Sequence, residues 1–238
     1  MPAEGSQIAD HLIPPPAEEG FILQAVILAN GVLEHPQAAL SILETGDLTI
    51  AADGGAHHFR QLGLTPDVII GDFDSLTTDE LESFQEAGAE TVRYPARKDF
   101  TDLELAIRYA VEYGAEDIVI LAALGARWDQ TLANVLLPAS LSLSDVRIRI
   151  LDGPQEILVL RAGQKMEIPG TSGDTLSLVP LSEQAYGITT QGLEYSLDKG
   201  TLRRGDTRGI SNVITNKAAQ VSLDEGLLLI VVIHQTFS

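Results

Sequence analysis

The 238-residue chain contains no cysteine. That excludes disulfides, thiolate zinc sites and cysteine nucleophiles in one step, and it fits a reducing cytoplasm, the compartment expected here. Basic residues are scarce. The 15 Lys and Arg face 34 Asp and Glu, a formal net charge of −19. A field of this sign repels phosphate backbones, so a general nucleic-acid binder is not expected. It favours a cationic small molecule or a metal instead. Long apolar runs are missing as well. The longest near the end, Leu227 to Ile233, falls far short of the ~20 residues a spanning helix needs, so no membrane partner is expected. Two nucleotide signatures are absent. No Lys follows a Gly, which removes the G-x-x-x-x-G-K-[ST] phosphate loop, and no two glycines sit two apart, which removes G-x-G-x-x-G.

What is present supports folded domains. A hydrophobic content of 45% is enough for a real core, and at ~150 residues per domain the length allows one large or two small domains. Residues 1–20 carry four acids, no Lys or Arg and the run Pro14-Pro15-Pro16. They lack the basic start and apolar stretch of a secretory signal and read as a disordered tail.

From residue 21 to 152 short apolar runs alternate with amphipathic stretches. The runs are Phe21–Ala29, Leu48–Ala52, Val68–Ile70, Thr91–Tyr94, Ile118–Leu121 and Val146–Leu151. Helices are expected over His35–Leu43, Ala56–Leu62, Thr78–Ala87, Asp99–Tyr113 and Asp129–Leu137, where apolar residues recur on one face. This alternation predicts an α/β domain, a mostly parallel sheet with helices on both faces. From 153 to 238 helical periodicity fades. Six short β-prone runs appear, at Ile157–Leu160, Lys165–Ile168, Thr175–Val179, Tyr186–Thr190, Ala219–Leu223 and Leu227–Ile233. They predict a second, all-β domain, a sandwich or small barrel, with the boundary near Asp152-Gly153-Pro154.

Ligands of open α/β sheets bind at the carboxyl ends of the strands. Five predicted strand ends carry polar or glycine-rich turns: Asn30-Gly31, Asp53-Gly54-Gly55, Gly71-Asp72-Phe73-Asp74-Ser75, Lys98-Asp99-Phe100-Thr101-Asp102 and Gly125-Ala126-Arg127-Trp128-Asp129-Gln130. One such turn is ordinary turn chemistry; five on one edge are not. Asp72 and Asp74, two apart in an extended segment, can converge on one hard cation. The structural alternative is that Asp74 or Ser75 caps the following helix. Asp99 and Asp102 have the spacing of a helix cap and its third residue. Together four such carboxylates repel unless a cation sits among them, which points to a metal held by residues such as Asp72, Asp74 and Asp99. Lys98 and Arg127 can hold a polyphosphate, or can pair with their acidic neighbours. Gly54 and Gly55 would let backbone amides approach phosphate. His57 and His58, adjacent on a helix, suit packing better than joint ligation. Trp128, Phe73 and Phe100 read as anchors. Arg208-Gly209-Ile210-Ser211-Asn212 reads as a tight turn that offers amide and hydroxyl hydrogen bonds.

These pieces, in this order, resemble the thiamine pyrophosphokinase family from about Ala25 to Val232. They are Asp53-Gly54-Gly55, G-D-F-D-S at 71–75, D-F-T-D at 99–102, Arg127-Trp128-Asp129-Gln130 and G-I-S-N at 209–212. The resemblance implies an N-terminal α/β catalytic domain, mostly parallel, followed by a C-terminal β-sandwich. It also implies a homodimer with active sites between the α/β domain of one chain and the β domain of the other. The implied reaction is ATP plus thiamine giving thiamine diphosphate and AMP, with Mg2+. Asp72, Asp74, Asp99 and Asp102 would then be catalytic, around magnesium and the phosphates. Asn30, Asp53, Gly54, Gly55, Lys98, Arg127, Asp129 and Gln130 would lie on ATP, and Ser211 and Asn212 on thiamine. Asp129-Gln130 stands where many bacterial members have Asp-His, so no histidine acid/base is implied there. The nearest rival is a pyrophosphokinase acting on a hydroxymethyl-pterin; others are a non-catalytic binding sensor and a dimerisation module.

Overall fold

A computed structural model describes residues 22–97, 99–125, 127–140, 143 and 145–236. The expected tail at 1–20, and Lys98, lie outside the described residues. The chain divides into two units, Met1–Ile148 and Arg149–Ser238.

In the first unit the apolar runs form β1 (Gln24–Leu28), β2 (Leu48–Ala52), β3 (Val68–Gly71), β4 (Glu90–Arg93) and β5 (Asp117–Leu121). All pair in parallel, in the order β5-β1-β2-β3-β4. β3 and β5 are buried at every residue and β1 at all but its first, which is why they read as continuous apolar runs rather than alternating ones. Between the strands run α1 (Pro36–Leu43), α2 (Ala56–Leu62), α3 (Thr78–Glu86) and α4 (Asp102–Glu112), and after β5 comes α5 (Trp128–Leu136). α4 turns Leu103, Ala106, Ile107 and Ala110 inward and packs on β1, β2 and β3. The chain steps from β1 outward to β4, then returns to place β5 on the other side of β1. The order therefore reverses between β1 and β5, where open sheets form a crevice.

Helix starts differ in detail from expectation. Thr77 caps α3: its hydroxyl accepts from the Glu80 amide, and the Glu80 carboxylate accepts from the Thr77 amide. These Thr77 bonds, backbone then hydroxyl, with Arg60 and His57 nearby, hold the Glu80 carboxyl down at about 2. Neither Asp74 nor Ser75 is the cap. Thr101 caps α4, so Asp102 is its first residue and Asp99 lies outside it.

In the second unit β6 (Arg147–Asp152), which begins just before it, forms a hairpin with β7 (Gln155–Arg161) through the Asp152-Gly153-Pro154 turn. Next come β8 (Lys165–Pro169), β9 (Thr175–Pro180), β10 (Gln184–Gln191), β11 (Gly200–Arg203), β12 (Asn212–Val213), β13 (Ala218–Ser222) and β14 (Leu227–Ile233). β6-β7-β14-β9-β12 pair antiparallel in one sheet and β11-β10-β13-β8 in the other. Leu160, Ile168, Leu176, Ile188, Leu202, Val221 and Ile230 fill the space between them, the expected sandwich. Each such side chain contributes ~1.5–3 kcal/mol by leaving water. β11 and β12 have no counterpart among the predicted runs.

One buried charge ties this unit's end to its middle. Asp174, 1% exposed, accepts from the Thr171 amide at 2.9 Å and hydroxyl at 3.0 Å and from the Gln235 amide at 2.9 Å. His234 Nδ1 lies 3.0 Å away, placed to donate. The Asp174 carbonyl accepts from the Ile214 amide. Among the described residues no helix is long and apolar enough to cross a membrane.

Candidate active site

The parallel strands of the first unit end at one edge. Backbone pairing of β1 and β5 continues past their ends: Gly31 N–H donates to the Ala122 carbonyl at 2.7 Å and Val32 N–H to that of Leu124 at 2.9 Å. The two loops lie so close that a Cβ on Gly31 would sit 2.4 Å from the Ala122 oxygen. They wall one side of a cavity of about 500 Å³, to which all five strand-end loops contribute. Asn30 comes from β1 and Asp53 from β2. Asp72, Asp74 and Ser75 follow β3, Thr101 and Asp102 follow β4, and Gly125, Arg127 and Gln130 follow β5.

Three carboxylates meet there. Asp53, Asp72 and Asp74 each offer an oxygen within 4.8 Å of the others. The register Ala52↔Ile70 brings Asp53 beside Gly71. Gly71 leaves the room: a Cβ there would lie 2.9 Å from the Asp53 Cβ and 3.2 Å from Asp102 Oδ1. Asp53 is 6% exposed and its Oδ1 has no hydrogen-bond partner. A buried carboxylate oxygen without a donor, facing two more carboxylates, is costly unless a cation compensates it. An all-oxygen set of this kind suits magnesium. Asp74 N–H donates to Asp72 Oδ1 at 3.1 Å, which orients that side chain.

The backbone is strained at the same edge. Asp53 (φ 45°), Phe73 (φ 64°) and Ala122 (φ 52°) adopt left-handed conformations just past β2, β3 and β5. Each costs on the order of 1–3 kcal/mol, and such residues gather at functional sites.

The remaining expected residues fall into distinct places. Asp102 lines the cavity; Asp99 is exposed and does not. Arg127 lines it while its guanidinium grips Asp129, at 2.5 and 3.2 Å. That bond raises Arg127 further above its ordinary value and lowers Asp129, and both side chains stay exposed. Gln130 lines the cavity and Asp129 does not. Gly54 and Gly55 lie buried outside the lining. A Cβ on Gly54 would strike the Asn30 side chain at 2.4 Å, and one on Gly55 the Leu28 carbonyl at 2.0 Å, so both serve close packing under β1. His57 approaches Glu80, and His58 Nε2 lies 3.0 Å from the Gly31 carbonyl. Phe73 is buried and Phe100 exposed, each under an arginine (Arg93 and Arg108). Trp128 is exposed rather than core.

In the second unit Ser211 (φ 60°) is exposed and its amide donates to Ser177 Oγ at 3.0 Å. Asn212 turns its side chain to the chain itself, accepting from the Tyr195 and Val213 amides and donating to the Tyr195 carbonyl at 2.7 Å. Sequence reasoning gave Ser75, Thr101 and Asn134 no place in the site, yet they also line the cavity. Asn134 donates to the Ala123 carbonyl at 2.8 Å. Its spacing of four from Gln130 was the available signal.

Fold and site together define a kinase-type transferase. Its strand ends carry carboxylates, and the sequence has no glycine-rich phosphate loop. Residues 39–150 match the family model for the thiamin pyrophosphokinase catalytic domain, and residues 164–228 the model for its vitamin B1 binding domain. Thiamine pyrophosphokinase from Bacillus subtilis (strain 168) is 29% identical over 184 residues, covering 77% of this chain and 86% of the relative. Thiamine pyrophosphokinase 1 from Oryza sativa subsp. japonica is 27% identical over 90% of this chain and 89% of its own. The crystal structure of the Bacillus subtilis enzyme superposes with a TM-score of 0.78 at 26% identity, covering 90% of this chain and 100% of that one. The chain belongs to the thiamine pyrophosphokinase family, a family of thiamine diphosphokinases.

Proposed function

We propose that this cavity binds ATP with magnesium and passes the β,γ-diphosphate to the hydroxyl of thiamine. The observation that carries the reading is the Asp53–Asp72–Asp74 cluster, with its orphaned buried oxygen, at the carboxyl ends of β2 and β3 in this cavity. Asp53, Asp72 and Asp74 would hold the metal; Asp53 takes the place that Asp99 holds in the sequence-based expectation. When bound, magnesium neutralises charge on the reacting phosphates. Arg127, with Lys98, supplies positive charge for phosphate oxygens, and Asn30 and Gln130 line the walls beside them. The thiamine oxygen bonds to the β-phosphorus, the bond from that phosphorus to the α,β-bridging oxygen breaks, and AMP leaves with that oxygen. Asp102 is the carboxylate in the cavity left to orient the attacking hydroxyl and receive its proton. Ser211 offers an exposed hydroxyl for thiamine, and Asn212 shapes its loop through Tyr195. The fixed positive charge of the thiazolium suits an acidic cleft.

The family reading adds a homodimer whose active sites lie between the α/β domain of one chain and the β domain of the other. A second copy would also cover apolar side chains left in water: α5 has no buried residue, and Trp128, Leu132 and Leu136, four apart, are all exposed. Sedimentation should show one species at twice the chain mass; a monomer at micromolar concentration counts against this part.

Turnover is tested by supplying ATP, magnesium and either thiamine or a hydroxymethyl-pterin, and measuring AMP. AMP should form with thiamine. AMP with the pterin alone would support the rival acceptor, and binding of thiamine and ATP without AMP would support a sensor.

A further inference from the structure

Phe73 stands between two of the three clustered carboxylates, buried and with φ 64°. A bulky residue does not stay in the left-handed region unless its surroundings hold it there. The peptide plane linking Asp72 to Phe73 sets that angle, and its carbonyl belongs to Asp72. β4 ends at Arg93, directly opposite Gly71 in the ladder, and Tyr94 N–H continues the pairing to the Gly71 carbonyl. From there Arg93 Nη1 donates to the Asp72 carbonyl at 2.7 Å, and the guanidinium lies over the Phe73 ring, 4.6 Å from its centre. One side chain thus holds both the plane and the ring on which the strained turn depends. A planar guanidinium can do the two at once; an ammonium can donate but does not stack flat.

We propose that Arg93 is a positioning residue for the cation site. It touches none of the carboxylate oxygens, but fixes the Asp72–Phe73 peptide so that Asp72 and Asp74 converge with Asp53. This rests on the reading that these three aspartates hold a divalent cation. Loss of such outer support typically lowers metal affinity about 10–100-fold.

The test is direct titration of Mn2+ by electron paramagnetic resonance, with and without α,β-methylene ATP, on wild type, Arg93→Met, Arg93→Lys and Asp72→Asn. Wild type binds and Asp72→Asn does not. Arg93→Met raises the Mn2+ Kd about 10-fold or more, with Arg93→Lys between it and wild type. In assays Arg93→Met needs more magnesium for half-maximal AMP formation, and saturating magnesium restores most of its kcat. A merely structural role would lower the active fraction without moving Kd. If wild type binds Mn2+ and the folded Arg93 variants bind it equally well, the inference is wrong while the metal reading stands. If wild type binds none in either condition, both fall. Arg93 sits at an exposed strand end, so Arg93→Lys provides the comparison should Arg93→Met fail to fold.

Discussion

Replacing Asp53 with asparagine should abolish diphosphate transfer and at the same time raise the melting temperature. The two effects have one cause. Asp53 is buried, its Oδ1 has no donor, and two more carboxylates lie within 4.8 Å. Without a cation this arrangement destabilises the fold through desolvation and like-charge repulsion. Asparagine keeps the shape and removes the charge, with an expected gain of about 1 kcal/mol in metal-free protein. With thiamine, ATP and magnesium present, the same change removes a ligand for the cation, and AMP formation should fall on the order of 10³-fold or more. Asp72→Asn and Asp74→Asn should lose turnover similarly but gain less stability, because their carboxylates are more open to water. Magnesium should raise the wild-type melting temperature and leave that of Asp53→Asn unmoved. Turnover of Asp53→Asn within tenfold of wild type would sink the assignment.

The second large effect belongs to Asp174. Cutting it to alanine leaves the Thr171 and Gln235 amides, the Thr171 hydroxyl and His234 Nδ1 without their acceptor in a buried place. The expected loss is about 3 kcal/mol or more, read as a lower urea midpoint for the second unit. The carboxyl also gives this unit a pH signature. Burial pushes its pKa up, but the Gln235 and Thr171 amides, His234 and the Thr171 hydroxyl outweigh burial and hold it at about 2, against an ordinary 3.8. A depressed carboxyl stabilises the fold above its unfolded pKa. Here that stability is complete above about pH 4 and drains away as the pH falls toward 2, by roughly 2 kcal/mol in all. Asp174→Ala should flatten the profile in that window. An unchanged acid midpoint would show that the unit's acid sensitivity lies elsewhere.

The architecture was legible because its strands are either wholly buried, as in β3 and β5, or alternate, as in β13. β12 is two residues long and β11 holds a single buried side chain, Leu202, so neither shows a period. Strand-end clustering found the cavity. It did not find which acids converge, because that depends on register. Asp53 and Gly71 are far apart in sequence and neighbours only because Ala52 pairs with Ile70. Spacing drew Asp99 into the metal set, whereas Thr101 begins the helix and leaves Asp99 outside. The glycines at 54 and 55 read as a phosphate cradle because sequence cannot see the Leu28 carbonyl 2.0 Å from where a side chain would begin.

The exposed start of α5 gives the molecule an optical property of its own. Trp128 is its one tryptophan, is 80% exposed, and adjoins Arg127, a cavity residue that already holds Asp129. Any ligand that draws the arginine away from that carboxylate alters the electric field at the indole. The tryptophan emission of the native chain therefore comes from a single site beside the cavity, and the nucleotide binding proposed for that cavity should change it in the unlabelled protein.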